Sequence, residues 1–299
     1  MILIDFSQIM RANMAVQINM GTFGENEFRN LVFQSLRKYN REFREEYGEM
    51  FICCDASYNW RKDYFPFYKA KRKTDRDESG IDWTEAFRIF NKVTKDVYEY
   101  LPYRVISIEQ TEADDVIGVL ATRRVTENGV LVENTEPTLI VSGDKDFRSL
   151  LVHNHIKLYH PVNKEFITEE NPKEYLMNLI LEGDKGDGVP NVLSDDDTFV
   201  TEGKRQTPLT KKKKSDILEK ITTRKLEELP TKIQQNIQRN INLIDLARTP
   251  KELKMMILKI AMWPPKGTMQ KTFNFLIKSN LSTLLNDIEG FKPGELKYA

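Results

Sequence analysis

Three apolar runs in this chain end in aspartate. "MILIDF" stops at Asp5, "EMFICCDA" at Asp55 and "PTLIVSGDKDF" at Asp144. More carboxylates follow in short motifs: Glu112, Asp114 and Asp115 in "TEADD", Asp146 in "GDKD", and Asp184 and Asp187 in "LEGDKGDGVPN". A single aspartate at a strand end is ordinarily a helix N-cap. Many carboxylates converging on one sheet edge repel one another unless something compensates them. Bound divalent cations do so, and an all-oxygen ligand set favours hard ions such as magnesium or manganese. Two such ions roughly 4 Å apart activate a water, stabilise developing charge and assist the leaving oxygen in phosphodiester hydrolysis. The stretch 181–191 taken by itself reads as a phosphate-cradling loop, a surface turn or part of a metal site.

Other chemistries lack their residues. His153, His155 and His160 cluster on an expected strand without cysteines or carboxylates at zinc spacing, so they read as structural. "SDDDTFVTEG" is acidic but has neither the glycine nor the terminal glutamate of an EF-hand. There is no Walker lysine motif and no dinucleotide fingerprint. Cys53 and Cys54 are the only cysteines, and neighbours in sequence rarely pair, which points to a reduced, intracellular protein. No apolar run approaches the roughly 20 residues that span a bilayer. The apolar start is too short for a secretory signal.

The 299 residues carry 45 basic and 45 acidic side chains, so the distribution of charge says more than its sum. Between Arg61 and Arg76 seven Lys/Arg face only Asp63 and Asp75, a local +5. Between Glu202 and Lys225 nine Lys/Arg face Glu202, Asp216 and Glu219, a local +6. A solvated face is the ordinary explanation for either run.

Elements must bring these groups together. The near-continuous apolar runs ending at Asp5, Asp55 and Asp144, with "YRVISIE" over 103–108, suit strands buried on both faces of a parallel sheet. Helical spacing fills the intervals: 26–47, then "DWTEAFRIFNKVTKDVYEYL" with Asp82 as cap, then 111–129 with Thr111 as cap and Gly129 as stop. "NPKEYLMNLILEG" has Asn171 as cap, Pro172 at the first helical position and Gly183 as stop. After about Thr207 only helical signals remain, opening with Thr207 as cap and Pro208 behind it; 194–206 reads as a loop. The fold class expected is therefore α/β: a mostly parallel central sheet flanked by helices over 1–182, then a helical domain over 183–299.

In order along the chain, "LIDFSQ", "CCDASYNWRKDYFPFYKAKR", "EADDVIGVLA", "VSGDKDF" and "EGDKGDGVP" resemble the motifs of the 5′-nuclease (flap endonuclease) superfamily, whose core is PIN-like. Each motif alone is weak; five in the right order are highly specific. Over its whole length, including "VTEGKRQTP" and "FNFLIKSNLSTLL", the chain is most similar to the T-even phage ribonuclease H branch of that superfamily. The resemblance implies a metal-dependent 5′→3′ exonuclease and flap endonuclease that removes RNA primers and adjoining DNA during lagging-strand synthesis. It implies that Asp5, Asp55, Glu112, Asp114 and Asp144 serve a first Mg2+ and that Asp146, Asp184 and Asp187 serve a second. Asp115 would be a helper and Mn2+ a substitute ion. Arg61 and Lys69 match residues that hold the scissile phosphate, with Arg72 one turn beyond. Tyr68 matches an aromatic that stacks on a terminal base. The segment 61–80 corresponds to an arch over the active site, and interleaved aromatics on a cationic segment suit single strands.

One departure stands out. Where many relatives carry a Gly-rich helix-hairpin-helix, this chain reads "PNVLSDDDTFVTEGKRQTPLTKKKK", a divergent form that puts a monovalent cation site there in doubt. Lys204, Arg205, Lys211, Lys212, Lys213 and Lys214 remain as candidates for duplex phosphates, with strongly salt-dependent affinity. The substrates implied are RNA–DNA hybrids and duplex DNA with 5′ ends, flaps or forks. The partners implied are a single-strand binding protein and a sliding clamp, with a monomer in the host cytoplasm and no membrane. A haloacid-dehalogenase-type phosphatase would need a second Asp two residues after Asp5, where Ser7 stands. A small PIN-type ribonuclease would leave the helical module unexplained. A non-catalytic nucleic-acid-binding protein would not need every motif aspartate intact.

Overall fold

The computed structural model describes residues 1–127 and 130–295. The chain runs β1 (Ile2–Asp5), α1 (Phe6–Asn19), α2 (Glu25–Tyr47), β2 (Met50–Cys53), α3 (Trp60–Tyr64), α4 (Arg72–Glu78) and α5 (Trp83–Tyr100). It continues with β3 (Arg104–Ile106), α6 (Ala113–Ala121), β4 (Arg124–Glu127), β5 (Val130–Glu133), β6 (Thr138–Val141), β7 (Ile156–His160) and β8 (Glu165–Ile167). Then come α7 (Pro172–Glu182), α8 (Lys211–Thr222), α9 (Thr231–Ile244), α10 (Lys251–Ala261) and α11 (Met269–Lys278). Short 3-10 segments close several of the loops.

These elements form two compact units: 1–57 with 82–168 and 251–299, and 58–81 with 169–250. This division differs from a single linear boundary at 182/183. The last helices join the first unit because their buried faces fit it. Tyr100 and Phe275 stack with ring centroids 4.1 Å apart, and buried Asn40 donates to the carbonyls of Gly290 and Lys292 at 2.8 Å. Helical periodicity cannot say which core an amphipathic face will meet.

The first unit holds a six-stranded sheet in the order β3-β2-β1-β6-β7-β8. All neighbouring pairs are parallel except β7 with β8. β1, β2 and β6 are wholly buried, which is why their sequences lack alternation. Chain order reverses direction around β1, with β2 on one side and β6 on the other. Such a switch point opens a crevice at the carboxyl ends of the strands. Truncating a core residue such as Ile4 or Val141 removes contacts worth about 2–5 kcal/mol at sites of this kind.

Four local features differ from the sequence reading. Phe6–Asn19 is a helix that its mixed polar and apolar text does not announce; Asp5 caps it. The helix expected over 111–129 stops at Ala121, where β-branched Val125 and Thr126 favour a strand, and β4 pairs antiparallel with β5; its expected stop, Gly129, lies outside the described residues. The cap of α8 is Thr210, whose hydroxyl accepts from the Lys213 N–H, three residues later than expected. Of the histidines only His160 lies on a strand.

The second unit packs α7, α8 and α9 with the 58–81 segment around Phe65, Tyr68, Leu179, Leu181, Val189 and Ile237. The 191–207 loop is pinned rather than loose. Asn236 donates to the carbonyls of Val192 and Ser194, Asn240 to those of Ile180 and Pro190, and Asn191 to that of Thr207. Among the described residues no helix is long and apolar enough to cross a membrane.

Candidate active site

In the first unit the strand-end carboxylates gather where the strand order switches. Asp5 closes β1, Asp55 follows β2 and Asp144 follows β6. Each also serves as a local cap: Asp5 accepts from the Gln8 N–H at 3.1 Å, Asp144 from the Asp146 N–H at 3.0 Å, and Asp55 from the Ala113 N–H at the start of α6 at 2.8 Å. The capping explanation and the site explanation therefore hold together, because the caps fix the carboxylates at the crevice. Glu112 caps α6 in a reciprocal box with Asp115, whose carboxylate accepts from the Glu112 N–H at 3.0 Å. Asp115 is fully buried and acts on the start of α6, which suits a helper; Asp114 is half-buried beside it.

Asp5 is the electrostatic centre. It is 5 % exposed. Burial, the facing Asp55 carboxylate and, less strongly, Asp144 push its carboxyl up to about 6, against the lowering effect of the Gln8 N–H and the Ser142 hydroxyl. Negative charge is thus in excess at this edge. Among the described residues no three His, Cys, Asp or Glu side chains form a preformed ligand cage. An all-oxygen set of carboxylates in which Asp55 and Asp144 raise the Asp5 carboxyl fits a hard divalent cation.

This has a pH consequence. A carboxyl raised from 3.8 to about 6 in the fold favours the protonated form. Its contribution to stability is fully present below 3.8 and is lost as pH rises through 6, a total of about 3 kcal/mol. In a chelator, urea unfolding of Asp5→Asn against the parent should show the variant gaining about 2 kcal/mol relative to the parent between pH 4.5 and 7.5. A difference that does not vary with pH contradicts this placement of Asp5.

Sequence reading missed Ser142. It is fully buried. Its hydroxyl donates to Asp5 at 2.9 Å and accepts from the Asp144 N–H at 3.0 Å. One side chain thus ties two strand-end acids together. A hydroxyl at the end of the apolar run "TLIVS" is the signal that could have found it. Gln8 adds a further tie, accepting from the Gly143 N–H. Residues that orient ligands in this manner are worth roughly 10–100-fold in metal affinity. Ser142→Ala should therefore lower Mn2+ affinity, read by calorimetric titration, by about that range; unchanged affinity removes Ser142 from the site.

Asp146 stays in the first unit, in the 3-10 turn behind Asp144, and the second unit holds the remaining predicted residues. Gly183 ends α7 at φ +72°, where a Cβ would lie 2.3 Å from the Val189 carbonyl oxygen, so only glycine fits. Asp184, buried, accepts from the N–H groups of Gly186 and Asp187 at 2.7 and 3.1 Å and bridges to Val189. Asp187 faces the basic segment. It accepts from the Tyr68 hydroxyl at 2.9 Å and from Arg72 at 2.7 Å, and Lys69 Nζ lies 3.6 Å away. Burial raises the Asp187 carboxyl, but Lys69, Arg72, the Tyr68 hydroxyl and Arg61 together hold it below the usual carboxylate range.

Two residues sit differently from expectation. Tyr68 is 3 % exposed, with its ring in the core and its hydroxyl on Asp187. That ring offers no face for stacking on a base. Arg61 is 2 % exposed; its Nε donates to the Leu243 carbonyl at 3.0 Å and its guanidinium lies 4.7 Å from the Trp60 ring centroid. Its charge acts from within the unit. Of the candidate duplex contacts, Lys204 is paired with Asp195 and Asp197 and Lys214 with Glu182. Arg205, Lys211, Lys212 and Lys213 are exposed.

Comparison with known proteins decides the family. Residues 1–177 match the family model described as 5′-3′ exonuclease, N-terminal resolvase-like domain, and residues 171–291 match that of the T4 RNase H C-terminal domain. The chain belongs to the 5′-3′ exonuclease family. Ribonuclease H of Enterobacteria phage T4 is 30 % identical over 304 residues, covering 97 % of this chain and 95 % of that protein. Flap endonuclease Xni of Shewanella pealeana is 33 % identical over 146 residues, covering 45 % of this chain and 49 % of its own length. The fold is shared with a bacteriophage T5 flap endonuclease solved in a pseudo-enzyme-product complex with DNA and metal ions. The TM-score is 0.59 at 15 % identity over 88 % of this chain and 99 % of that one. A member of the 5′-3′ exonuclease family is a nuclease, a hydrolase of phosphodiesters, and metal dependence is general to that family.

Proposed function

We infer that this chain is a structure-selective 5′→3′ exonuclease and flap endonuclease with ribonuclease H activity. Its task is removal of RNA primers and adjacent DNA from lagging-strand fragments during phage DNA replication. The observation that carries this reading is the convergence of Asp5, Asp55 and Asp144 at the switch point of the sheet, where burial and the neighbouring carboxylates push the Asp5 carboxyl up to about 6.

The residue roles follow the family's motif order. Asp5, Asp55, Glu112, Asp114 and Asp144 hold the first Mg2+. Asp146, Asp184 and Asp187 serve the second, and Asp115 fixes the start of α6. When bound, the two ions lower the pKa of water and neutralise charge on the phosphoryl group; Mn2+, also hard and oxygen-seeking, is a substitute. Lys69 and Arg72 bind the scissile phosphate through an ammonium and a planar guanidinium. Arg61 supports them from its buried position.

Lys211, Lys212 and Lys213 occupy the first turn of α8, where cations oppose the helix dipole. Bound phosphates would relieve that opposition, which favours these lysines, with Arg205, as duplex contacts. Lys204 and Lys214, already paired, contribute less. The partners proposed are a single-strand binding protein and a sliding clamp, with the protein acting as a monomer in the host cytoplasm.

A 5′-labelled RNA strand annealed to DNA provides the test. With Mg2+ the protein should release the label in short 5′ products, and a chelator should stop it. Intact RNA in the presence of Mg2+ would overturn the ribonuclease H assignment.

A further inference from the structure

The surroundings of Asp187 form an anion cradle that is already filled from within. Three side-chain donors of different kinds meet one carboxylate: the Tyr68 phenol at 2.9 Å, the Arg72 guanidinium at 2.7 Å and the Lys69 ammonium at 3.6 Å. Two of them address separate oxygens, with Arg72 on Oδ1 and Tyr68 on Oδ2. A carboxylate and the two non-bridging oxygens of a phosphodiester present the same recognition problem, and guanidinium and ammonium groups serve both.

The cradle is built, not incidental. Lys69 adopts the left-handed conformation at φ +55°, which costs a non-glycine residue free energy unless the surroundings enforce it. The enforcement comes from the same loop, because the Lys69 N–H donates to the Asp187 carbonyl at 2.8 Å. Gly188, at φ +72°, lies so close to this segment that a Cβ would stand 2.9 Å from the Phe67 carbonyl oxygen. Backbone and side chain of Asp187 are thus both engaged by residues 67–72.

We propose that Asp187 is an internal stand-in for a substrate phosphate, occupying the Tyr68–Lys69–Arg72 cradle in the free protein and yielding it to a phosphodiester of the incoming strand. The proposal rests on the reading above that gives Lys69 and Arg72 to the phosphate. Exchange of one anion for another leaves both cations compensated throughout. In the free protein each Asp187 oxygen is engaged by a cradle donor, and a phosphate that takes the cradle leaves both oxygens to the cation. Substrate arrival then completes the ligand set, and Tyr68 is a positioning residue rather than a stacking platform.

Binding of a 5′-flapped DNA duplex, measured by fluorescence anisotropy in a chelator across a salt series, tests this without cleavage. Asp187→Asn should bind about tenfold tighter than the parent at low salt. Its salt dependence should steepen by roughly one to two phosphate contacts, since each contact adds about 0.7–0.9 to the slope. Adding Lys69→Ala and Arg72→Ala to Asp187→Asn should abolish the gain. Inorganic phosphate should raise the melting temperature of Asp187→Asn more than that of the parent.

Unchanged affinity and slope in Asp187→Asn, or a gain that survives loss of Lys69 and Arg72, overturns the stand-in. Failure of the underlying reading looks different. If Asp187→Asn cuts with the parent's metal dependence yet shows the binding gain, Asp187 is no metal ligand and the cradle stands.

Discussion

Asp146→Asn is expected to abolish cleavage while leaving the fold and DNA binding largely intact. Asp146 lies in the first turn of the 3-10 segment capped by Asp144, and its N–H donates to the Asp144 carboxylate. The backbone contact survives the substitution, so the turn keeps its shape. What is lost is one negative charge on the side chain assigned to the second ion. A correctly placed ion supplies several kcal/mol of charge stabilisation in the transition state. At 1.36 kcal/mol per tenfold, the single-turnover rate should fall by about a thousandfold or more. Anisotropy with flap DNA should change by less than about threefold, because phosphate affinity is carried by Lys and Arg. A variant that melts well below the parent shows that Asp146 is structural; a variant that cuts normally takes it out of the ligand set.

Lys69→Ala carries the second largest expected effect. Its Nζ lies between Asp187 and the Tyr68 ring, 4.8 Å from the ring centroid, with the side chain largely shielded. If Lys69 meets the phosphate as proposed, its shielded ammonium is worth more there than in water, and loss of one preorganised donor typically costs about 100–1,000-fold in rate. The single-turnover rate should drop within that range. Equilibrium binding should weaken far less, since one contact among several is removed. The substitution also relieves nothing in the backbone, because alanine at φ +55° remains strained. An unchanged rate at saturating protein would place Lys69 outside the chemistry.

The parts of this molecule legible in the sequence are those with local causes. Strands buried on both faces read as unbroken apolar runs, so Asp5, Asp55 and Asp144 could be placed at strand ends and the parallel sheet inferred. Pro172 and Gly183 bound α7 as their geometry requires. What could not be read has distant causes. The pairing of Lys69 and Arg72 with Asp187 spans more than a hundred residues, and Tyr68 on a basic segment looks like an exposed aromatic until its core is known. α1 was hidden because its text mixes polar and apolar residues without a strong stripe, and its cap is the same Asp5 that reads as a ligand. The hairpin of β4 and β5 was hidden because an apolar helical pattern runs straight into it. Ser142 was hidden by its ordinariness; only geometry shows that its hydroxyl serves two acids.

On the function proposed above, these carboxylates run metal-dependent phosphodiester hydrolysis on branched 5′ ends. A 5′-flapped DNA duplex labelled at the flap, incubated with purified protein and Mg2+ and resolved by product size, tests it most directly, with a small phosphomonoester assayed in parallel. Cuts at or near the flap junction are expected, with products bearing 3′-hydroxyl groups, full loss of cutting in chelator and recovery with Mn2+. Flap DNA left intact while phosphate is released from the small ester would contradict it.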